Sequence, residues 1–449
     1  MITECGDWLV LVERGVWGVV AGLLCVGIDC VACLLSLGRG QPAPGLAVCG
    51  WGSASSIEPS IEKALLDCSF LRIEDLVDDV AADQERVDEK ESEQNNKLLR
   101  LYNKYPESIM IGKYIAGCQF YLYGRWHFTR SGWETASKTY DQPDILLDPS
   151  LNLKGKVFLV TGGNAGIGRE MVKFIAEKGG TIYMFCRSET RAKEAVAIIQ
   201  EKTKNNDVHI IVGDCGVGKD VSRMWKEFID HQESNGRKPQ LDALICNAGA
   251  LSDTKQMTSE NVEETLATHL VFGTYLLGSL AMPLLEQTVG GRMVVVSSGG
   301  MYCTKFPSWP IASAAEGEYD GQLAYAYAKR GQLLLCERWA ARYPGVAVVS
   351  CHPGWVLTEG LQKVYPESVR RWLEPLRSPW QGCEGIIWLA VAPREQIRSG
   401  EFYLDRTPQP KHLAGPFFTE GSATKNTTEE VDELMRMLEL WSREKPQGK

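Results

Sequence analysis

The sequence has little that would attract a nucleic acid. Its 48 Lys and Arg residues are outnumbered by 57 Asp and Glu residues, which gives a formal net charge of −9 and a pI near 5.4. A phosphate backbone is bound by clustered Lys and Arg, and the chain has no basic stripe. We therefore expect no nucleic-acid partner.

A metal-binding pattern is also lacking. The 14 cysteines are scattered along the chain, with neither paired CxxC motifs nor Cys and His at the spacing of a zinc site. We expect no metal, and we interpret the cysteines as free thiols in a reducing compartment. The predicted location is intracellular, either cytoplasmic or membrane-associated.

The first apolar run is not preceded by the basic region of a secretory signal peptide. Residues 16–38, VWGVVAGLLCVGIDCVACLLSLG, are long enough to span a bilayer, but three acidic residues and one Arg stand before them. Asp29 inside the run would cost about 3 kcal/mol at the centre of a lipid-facing helix. Three interpretations remain: a membrane anchor, a buried or poorly structured extension, and a leader absent from the mature protein.

Changes in composition divide the chain into four segments. We interpret residues 1–60 as the apolar segment followed by a Gly-, Pro- and Ser-rich linker, and 61–111 as a helical extension with an acidic run. Residues 112–153 are dense in aromatics and are expected to pack as an arm on the core. Residues 154–449 form the main domain.

The main domain alternates apolar strands with amphipathic helices. Six segments are strand-like: KVFLVTG, TIYMFCR, VHIIVGD, LDALICNAG, GGRMVVVSSGG and VAVVSCHPG. Near-continuous apolar strands separated by helices indicate a parallel sheet covered on both faces. The predicted fold is α/β, a Rossmann-like doubly wound parallel sheet, preceded by a helical or partly disordered N-terminal extension.

The glycine-rich turn TGGNAGIG lies between the first strand and the following helix. Glycine at positions 162, 166 and 168 lets the backbone approach a pyrophosphate, and the N-terminus of the helix favours negative charge there. By itself the pattern is also that of a tight strand-to-helix turn.

The second strand ends in Arg187 rather than in an acidic residue. A carboxylate at this place would accept the ribose hydroxyls of NAD, whereas an Arg fork binds the 2′-phosphate of NADP. We therefore expect NADP(H) rather than NAD(H), with Arg169 as a further contact for the phosphate. Asp214, after the third strand, is also expected at the cofactor.

Tyr325 and Lys329 stand four residues apart in LAYAYAKRGQLLL and so lie on one face of a helix. An adjacent ammonium would favour the phenolate and lower the pKa of Tyr325, which would then serve as the proton relay. Tyr327 falls on another face and is expected to pack. Upstream, Ser297 and Ser298 end an apolar strand, where a hydroxyl can stabilise an oxyanion; the register decides which serine does so.

These residues resemble the short-chain dehydrogenase/reductase family over roughly 154–415. The glycine motif of the family is TGGNAGIG here, its NNAG is CNAG, its YxxxK joins Tyr325 to Lys329, and its Pro-Gly-Thr element is HPGWVLT. The resemblance implies Ser298, Tyr325 and Lys329 as catalytic residues. It also implies these cofactor contacts: Gly162, Asn164, Gly166, Ile167, Gly168, Asn247, Ala248, Gly249, Tyr325, Lys329, Pro353, Gly354 and Thr358.

One position departs from the family pattern. Many members carry an Asn in the helix before the serine strand, where this chain has LATHLVFGTYLL with His269. We expect a hydrogen-bonded interior or helix-face histidine here, although an imidazole could still bridge to a water.

Two functions remain open at this point. The first is an NADP(H)-dependent oxidoreductase that interconverts a carbonyl and an alcohol on a small, apolar molecule, with Trp309, Trp355, Trp372 and Trp380 available for a pocket or for the core. The second is a dinucleotide-binding scaffold or sensor with little activity. The sequence leaves the oligomeric state open.

Overall fold

The computed structural model describes residues 106–140, 145–249, 251–364, 366–413, 421 and 424–443. These all belong to one unit, Asn96–Lys449. The apolar run at 16–38, the linker and most of the acidic extension lie outside the described residues.

An eight-stranded sheet organises this unit. Its strands are β1 (Val157–Thr161), β2 (Thr181–Cys186), β3 (Val208–Val212), β4 (Ala243–Cys246), β5 (Arg292–Val296), β6 (Ala347–Cys351), β7 (Phe402–Leu404) and β8 (Thr407–Gln409). Their spatial order is β3-β2-β1-β4-β5-β6-β7-β8, and every neighbouring pair is parallel except β7 with β8. The six predicted strands are β1 to β6, which confirms the predicted fold class.

The main helices of the described chain follow the strands in alternation. They are α1 (Pro106–His127), α2 (Arg130–Ala136), α3 (Gly166–Glu177), α4 (Glu189–Thr203), α5 (Gly218–Ser234), α6 (Glu264–Gln287), α7 (Trp309–Ala312), α8 (Gly321–Arg342), α9 (Glu359–Val364), α10 (Glu367–Arg370), α11 (Pro379–Val391) and α12 (Thr428–Ser442).

Two apolar clusters cover the two faces of the sheet. One joins alternate strand residues such as Leu159 to α5, α6, α8 and α12, and the other joins the intervening residues such as Val160 to α3, α4 and α11. Leu159 and Val160 are both 0% exposed, and burying such a side chain contributes about 1.5–3 kcal/mol. Because both faces are buried, the central strands β1, β4 and β5 are mainly apolar instead of alternating.

Helix α6 is apolar enough to meet the length and composition of a membrane span, and it is the one such helix among the residues that the structure describes. It is a core helix, since 67% of that window is buried. Its first half, Ala267–Leu276, is a π-helix. Gly273 permits this winding, because a Cβ there would lie 2.0 Å from the Thr268 carbonyl oxygen.

Residues upstream of the sheet pack near the edge formed by β7 and β8. Helix α1 begins at Pro106, six residues before the predicted start of the arm, and Thr129 caps α2 by accepting a hydrogen bond from the Gly132 N–H. A third apolar cluster joins Phe128 to Trp355, and also includes Met301, Tyr302, Leu333, Phe402 and Leu404. The four-segment division itself stays a prediction.

Candidate active site

The glycine-rich turn connects β1 to α3, and its glycines lie where a side chain would be strained or would clash. Gly162 and Gly166 have φ angles of +68° and +51°, in the left-handed region that favours glycine. A Cβ on Gly168 would lie 2.2 Å from the Gly162 carbonyl oxygen. Within the turn, Asn164 is half-buried and Ile167 packs against the second cluster. The backbone is thus bare where the helix begins, as an anion cradle requires.

The CNAG segment supports this turn from β4. The Thr161 hydroxyl oxygen accepts hydrogen bonds from the N–H groups of Asn247 (2.9 Å) and Ala248 (2.8 Å). The Asn247 amide donates in return to the carbonyl oxygens of Thr161 (3.0 Å) and Gly162 (3.4 Å). Two motifs that are 85 residues apart in sequence therefore form one rigid edge.

Arg187 lies at the carboxyl end of β2, with its side chain 60% exposed. Its guanidinium donates to Asp214 at 3.4 Å and to Glu264 at 3.1 Å. Burial lowers the pKa of Arg187, but the two carboxylates outweigh that effect and raise it. Asp214 also accepts from the Gly216 N–H (2.8 Å), which orders the turn after β3. Sequence reasoning had not connected Glu264 with this site.

The two serines at the end of β5 are distinguished by the register. Ser297 is 2% exposed, and its hydroxyl donates to the Lys329 carbonyl oxygen at 2.9 Å. Ser298 is more accessible, and its hydroxyl lies close enough to Tyr325 to lower the pKa of that phenol. Ser298 is therefore the serine that faces the tyrosine.

Lys329 is buried beneath Tyr325 on α8. Its ammonium donates to the Val296 carbonyl oxygen at 2.7 Å and lies 5.4 Å from the centre of the Tyr325 ring. Burial lowers the pKa of Lys329 to about 7, against a smaller opposing effect of the thiols of Cys351 and Cys246. The Lys329 charge is thus costly in this environment.

The predicted direction of the Tyr325 pKa shift is wrong for the protein without cofactor. We expected Lys329 to lower the pKa of Tyr325, whereas burial raises it and the Ser298 hydrogen bond lowers it only partly. The physical reason is desolvation, which penalises the phenolate more than its neighbours stabilise it. Tyr325 is a neutral phenol here, the form that donates a proton. Tyr327 packs against the first cluster, as the face argument predicts.

His269 lies beside the tyrosine, in the π-helical part of α6. Its ring is 3% exposed and meets the Tyr325 ring edge to face, with the centroids 5.3 Å apart. Its other side touches Gly249, where a Cβ would lie 2.3 Å from the imidazole Cε1. The histidine therefore fills the space between the CNAG turn and Tyr325, as an interior residue in contact with the site.

The loop after β6 brings the Pro-Gly-Thr element to the same edge. The methyl carbon of Thr358 would lie 3.5 Å from a Cβ on Gly166, so this loop touches the glycine turn. Gly354 has a φ angle of +80°, and a Cβ there would lie 2.2 Å from the Nε of Arg377. Arg377 also donates to the Pro353 carbonyl oxygen at 3.4 Å.

Arg377 joins the arm to this loop, a role that sequence reasoning missed. It is 0% exposed and forms a two-point ion pair with Asp405, with N–O distances of 2.6 and 2.7 Å. Its remaining N–H groups donate to the carbonyl oxygens of His127 (2.6 Å) and Phe128 (2.9 Å). Nothing local in the sequence identifies this residue, because its partners are 28 and about 250 residues away.

Known proteins are similar to this chain over the region that contains the sheet and the candidate site. A family model described as short chain dehydrogenase matches residues 156–368. The protein named dehydrogenase/reductase SDR family member 12 is 35% identical in Bos taurus, over 70% of this chain and 94% of that protein. The Homo sapiens protein of that name is 33% identical, over 70% and 93%.

More distant similarities extend over a smaller part of the chain. Retinol dehydrogenase 11 of Mus musculus is 28% identical over 57% of this chain and 79% of its own length. A crystal structure from Escherichia coli, described as a "putative short chain dehydrogenase" complexed with NADPH, is 22% identical and covers 57% of this chain and 98% of its own, with a TM-score of 0.45. From the family match and the two relatives above 30% identity, the chain belongs to the short-chain dehydrogenase/reductase family of oxidoreductases, with an NAD(P)-binding Rossmann fold.

Proposed function

We propose that the protein is an NADP(H)-dependent oxidoreductase that interconverts a carbonyl and an alcohol on a small apolar molecule. The observation that carries the proposal is the grouping of Ser298, Tyr325 and Lys329 at the carboxyl edge of the sheet, beside the glycine turn. The Ser298 hydroxyl and the Tyr325 ring both lie next to Gly300, which places an oxyanion stabiliser beside a proton donor.

The residues present fit a dinucleotide. The turn of Gly162, Gly166 and Gly168 would hold the pyrophosphate, because side chains there would fill the cradle. The other predicted contacts, from the CNAG segment and from Pro353, Gly354 and Thr358, lie along the same edge. When bound, the nicotinamide would supply or accept the hydride.

The protein's own contribution is to hold the substrate oxygen and move its proton. During reduction, the Ser298 hydroxyl donates a hydrogen bond to the substrate oxygen and Tyr325 gives that oxygen its proton. During oxidation, Tyr325 takes the proton back. Lys329 would hold the nicotinamide ribose and stabilise the phenolate that each reduction leaves, since its ammonium lies against the Tyr325 ring.

The preference for NADP(H) rests on Arg187. Its guanidinium donates to Asp214 and Glu264 from one nitrogen, so binding of NADP(H) requires the 2′-phosphate to replace these carboxylates as the partner of Arg187. A thermal-shift comparison tests the preference, because a ligand that binds only the folded state raises Tm. We expect a larger Tm shift with NADPH than with NADH at equal concentration. A larger shift with NADH would refute the assignment.

The apolar character of the substrate rests on the segment after the Pro-Gly. Leu357 and Trp372 are 44% and 45% exposed there, whereas Trp309 and Trp355 are buried in packing contacts. Trp380 packs against Phe174 of α3. Two relatives named for retinol dehydrogenase activity also support an apolar alcohol or carbonyl.

The intracellular location is part of the same proposal. Cys215, Cys246 and Cys351 are buried free thiols whose pKa burial raises, the state expected in a reducing compartment. Membrane association through residues 16–38 would be decided by fractionating the protein with and without residues 1–40.

Tyr325→Phe tests the chemistry, with Tyr327→Phe as its matched control on the same helix. With NADPH and a panel of ketones and aldehydes, we expect Tyr325→Phe to lower kcat at least about 100-fold, the usual contribution of a positioned acid. Tyr327→Phe should retain kcat within about two-fold, because its ring packs against the core.

Full activity of Tyr325→Phe would refute the mechanism. If the wild-type protein binds NADPH but turns over no member of the panel, the scaffold or sensor function is the correct one.

A further inference from the structure

His352 links three parts of the site that are distant in sequence. It follows β6 directly and precedes Pro353, the start of the Pro-Gly-Thr element. Its backbone N–H donates to the Tyr403 carbonyl oxygen at 2.8 Å, and its side chain lies in an interior position, only 6% exposed. The mechanism proposed above does not involve the His352 imidazole.

The imidazole Nδ1 accepts a hydrogen bond from the Gly299 N–H at 3.2 Å. A ring nitrogen that accepts carries a lone pair, so the ring proton must be on Nε2. The Nε2 atom is buried and has no hydrogen-bond partner among the described residues. The Nδ1 contact is therefore the polar interaction that orients the ring, and the ring must be neutral to make it.

The electrostatic environment favours the neutral ring. Burial is the main cause that holds the pKa of His352 well below its ordinary value, and the positive charges of Arg377 and Lys329 act in the same direction. Gly299 thus has a permanent acceptor rather than one that is lost on protonation.

Gly299 is the residue directly after Ser298. It opens the 3₁₀ turn Gly299–Tyr302, and Ser298 caps that turn by accepting from the Gly300 N–H at 3.2 Å. Because the Ser298 side chain is held by the turn, the position of the turn fixes the direction of the hydroxyl. A hydrogen bond that anchors Gly299 therefore anchors Ser298.

The arm supports the imidazole from the other side. The Phe128 ring meets the His352 ring edge to face, with the centroids 4.3 Å apart. Phe128 and Phe120 also contact Gly299 closely, since a Cβ there would lie 2.7 and 2.8 Å from their rings. Phe128 is in turn held by Arg377, through its carbonyl oxygen.

We propose that His352 is a positioning residue for the reaction: its Nδ1 holds the Gly299 N–H, and so aims the Ser298 hydroxyl at Tyr325, while Phe128 of the arm holds the imidazole in place. This inference rests on the proposed function for its catalytic consequence, but the hydrogen bond itself can be tested without turnover.

Two substitutions separate the hydrogen bond from the packing. His352→Asn keeps an acceptor close to the position of Nδ1 and loses the ring, whereas His352→Leu keeps apolar volume and loses the acceptor. We expect His352→Leu to lower kcat about ten-fold or more, because a misdirected catalytic group is costly. KM and the NADPH dissociation constant, measured by fluorescence titration, should change less than about two-fold, since His352 is expected to act through Ser298 alone.

His352→Asn should retain a kcat within about three-fold of the wild-type value. A purely structural role predicts the reverse order, because Leu fills the site better than Asn. Equal kcat losses in both variants, or wild-type kcat in both, would overturn the proposal.

The tautomer of His352 provides a measurement that needs neither turnover nor the Leu variant. In wild-type protein labelled with ¹⁵N-histidine, the His352 signals are identified by their loss in His352→Asn. We expect the neutral tautomer with the proton on Nε2 at pH 7. A proton on Nδ1 would refute the hydrogen bond and the proposal with it. Absence of turnover in wild-type protein would instead refute the proposed function and leave this measurement standing.

Discussion

Lys329 allows a quantitative test of how the site is built. Its folded pKa is about 7, whereas its ordinary value is 10.5, because burial penalises the ammonium. Between these two pH values the unfolded chain binds one more proton than the folded chain. The free energy of unfolding therefore rises with pH in this window, and below pH 7 the full penalty of the buried charge applies.

The magnitude follows from the two pKa values. Each pH unit with one extra proton in the unfolded state changes the free energy of unfolding by about 1.4 kcal/mol. Lys329 is itself still half protonated at pH 7, so its contribution between pH 7 and pH 9 is about 2 kcal/mol.

The assay is urea unfolding of the cofactor-free wild-type protein and of Lys329→Met at pH 7, 8 and 9. Ionisable groups that the two proteins share cancel in the difference between their free energies of unfolding. From pH 7 to pH 9, the free energy of unfolding of the wild type should therefore rise by about 2 kcal/mol relative to that of the variant. The exposed Lys238 provides the control, because Lys238→Met makes the same substitution at an exposed position. A difference for Lys329→Met that does not change with pH would refute the buried, uncompensated lysine.

Three further perturbations test the surrounding structure. Gly168→Ala places a methyl group 2.2 Å from a backbone oxygen, so we expect it to abolish the NADPH-induced rise in Tm, and an unchanged rise would contradict the cradle. Arg187→Ala should weaken NADPH binding at least about ten-fold and NADH binding less than about three-fold, measured by fluorescence titration. Asp405→Ala leaves the Arg377 guanidinium buried without its counterion and should lower the free energy of unfolding by about 3–5 kcal/mol, whereas Glu433→Ala in an exposed pair should leave Tm unchanged.

The fold could be read from the sequence because its signals are local. Each of the six predicted strands is a short apolar run, and a strand buried on both faces needs nothing else to be recognised. The strands β7 and β8 were missed because each has only three residues, too few to show a pattern. The confirmed family resemblance rests on the same local features, a glycine turn and a tyrosine one helical turn from a lysine.

Local sequence patterns predicted only part of the candidate site. Ser297 and Ser298 are adjacent in sequence, and only the register of β5 against α8 distinguishes them. Ser297 donates a hydrogen bond to the Lys329 carbonyl oxygen, whereas Ser298 lies beside Tyr325. The direction of the Tyr325 pKa shift was wrong because desolvation depends on all the chain segments that cover the ring, which spacing along one helix does not show.

The sequence by itself determined six of the eight strands, the glycine-rich turn and the residue types of the proposed catalytic group, since each depends on neighbours within a few positions. Only the tertiary structure decided that the aromatic arm supports the site. Arg377, Asp405 and Phe128 are brought together from across the chain, and their contacts with the loop of Gly354 and with His352 exist only once the sheet edge has formed. A contact between residues some 250 positions apart leaves no periodic trace in either segment, and the energy that fixes it comes from burial that the folded chain alone provides.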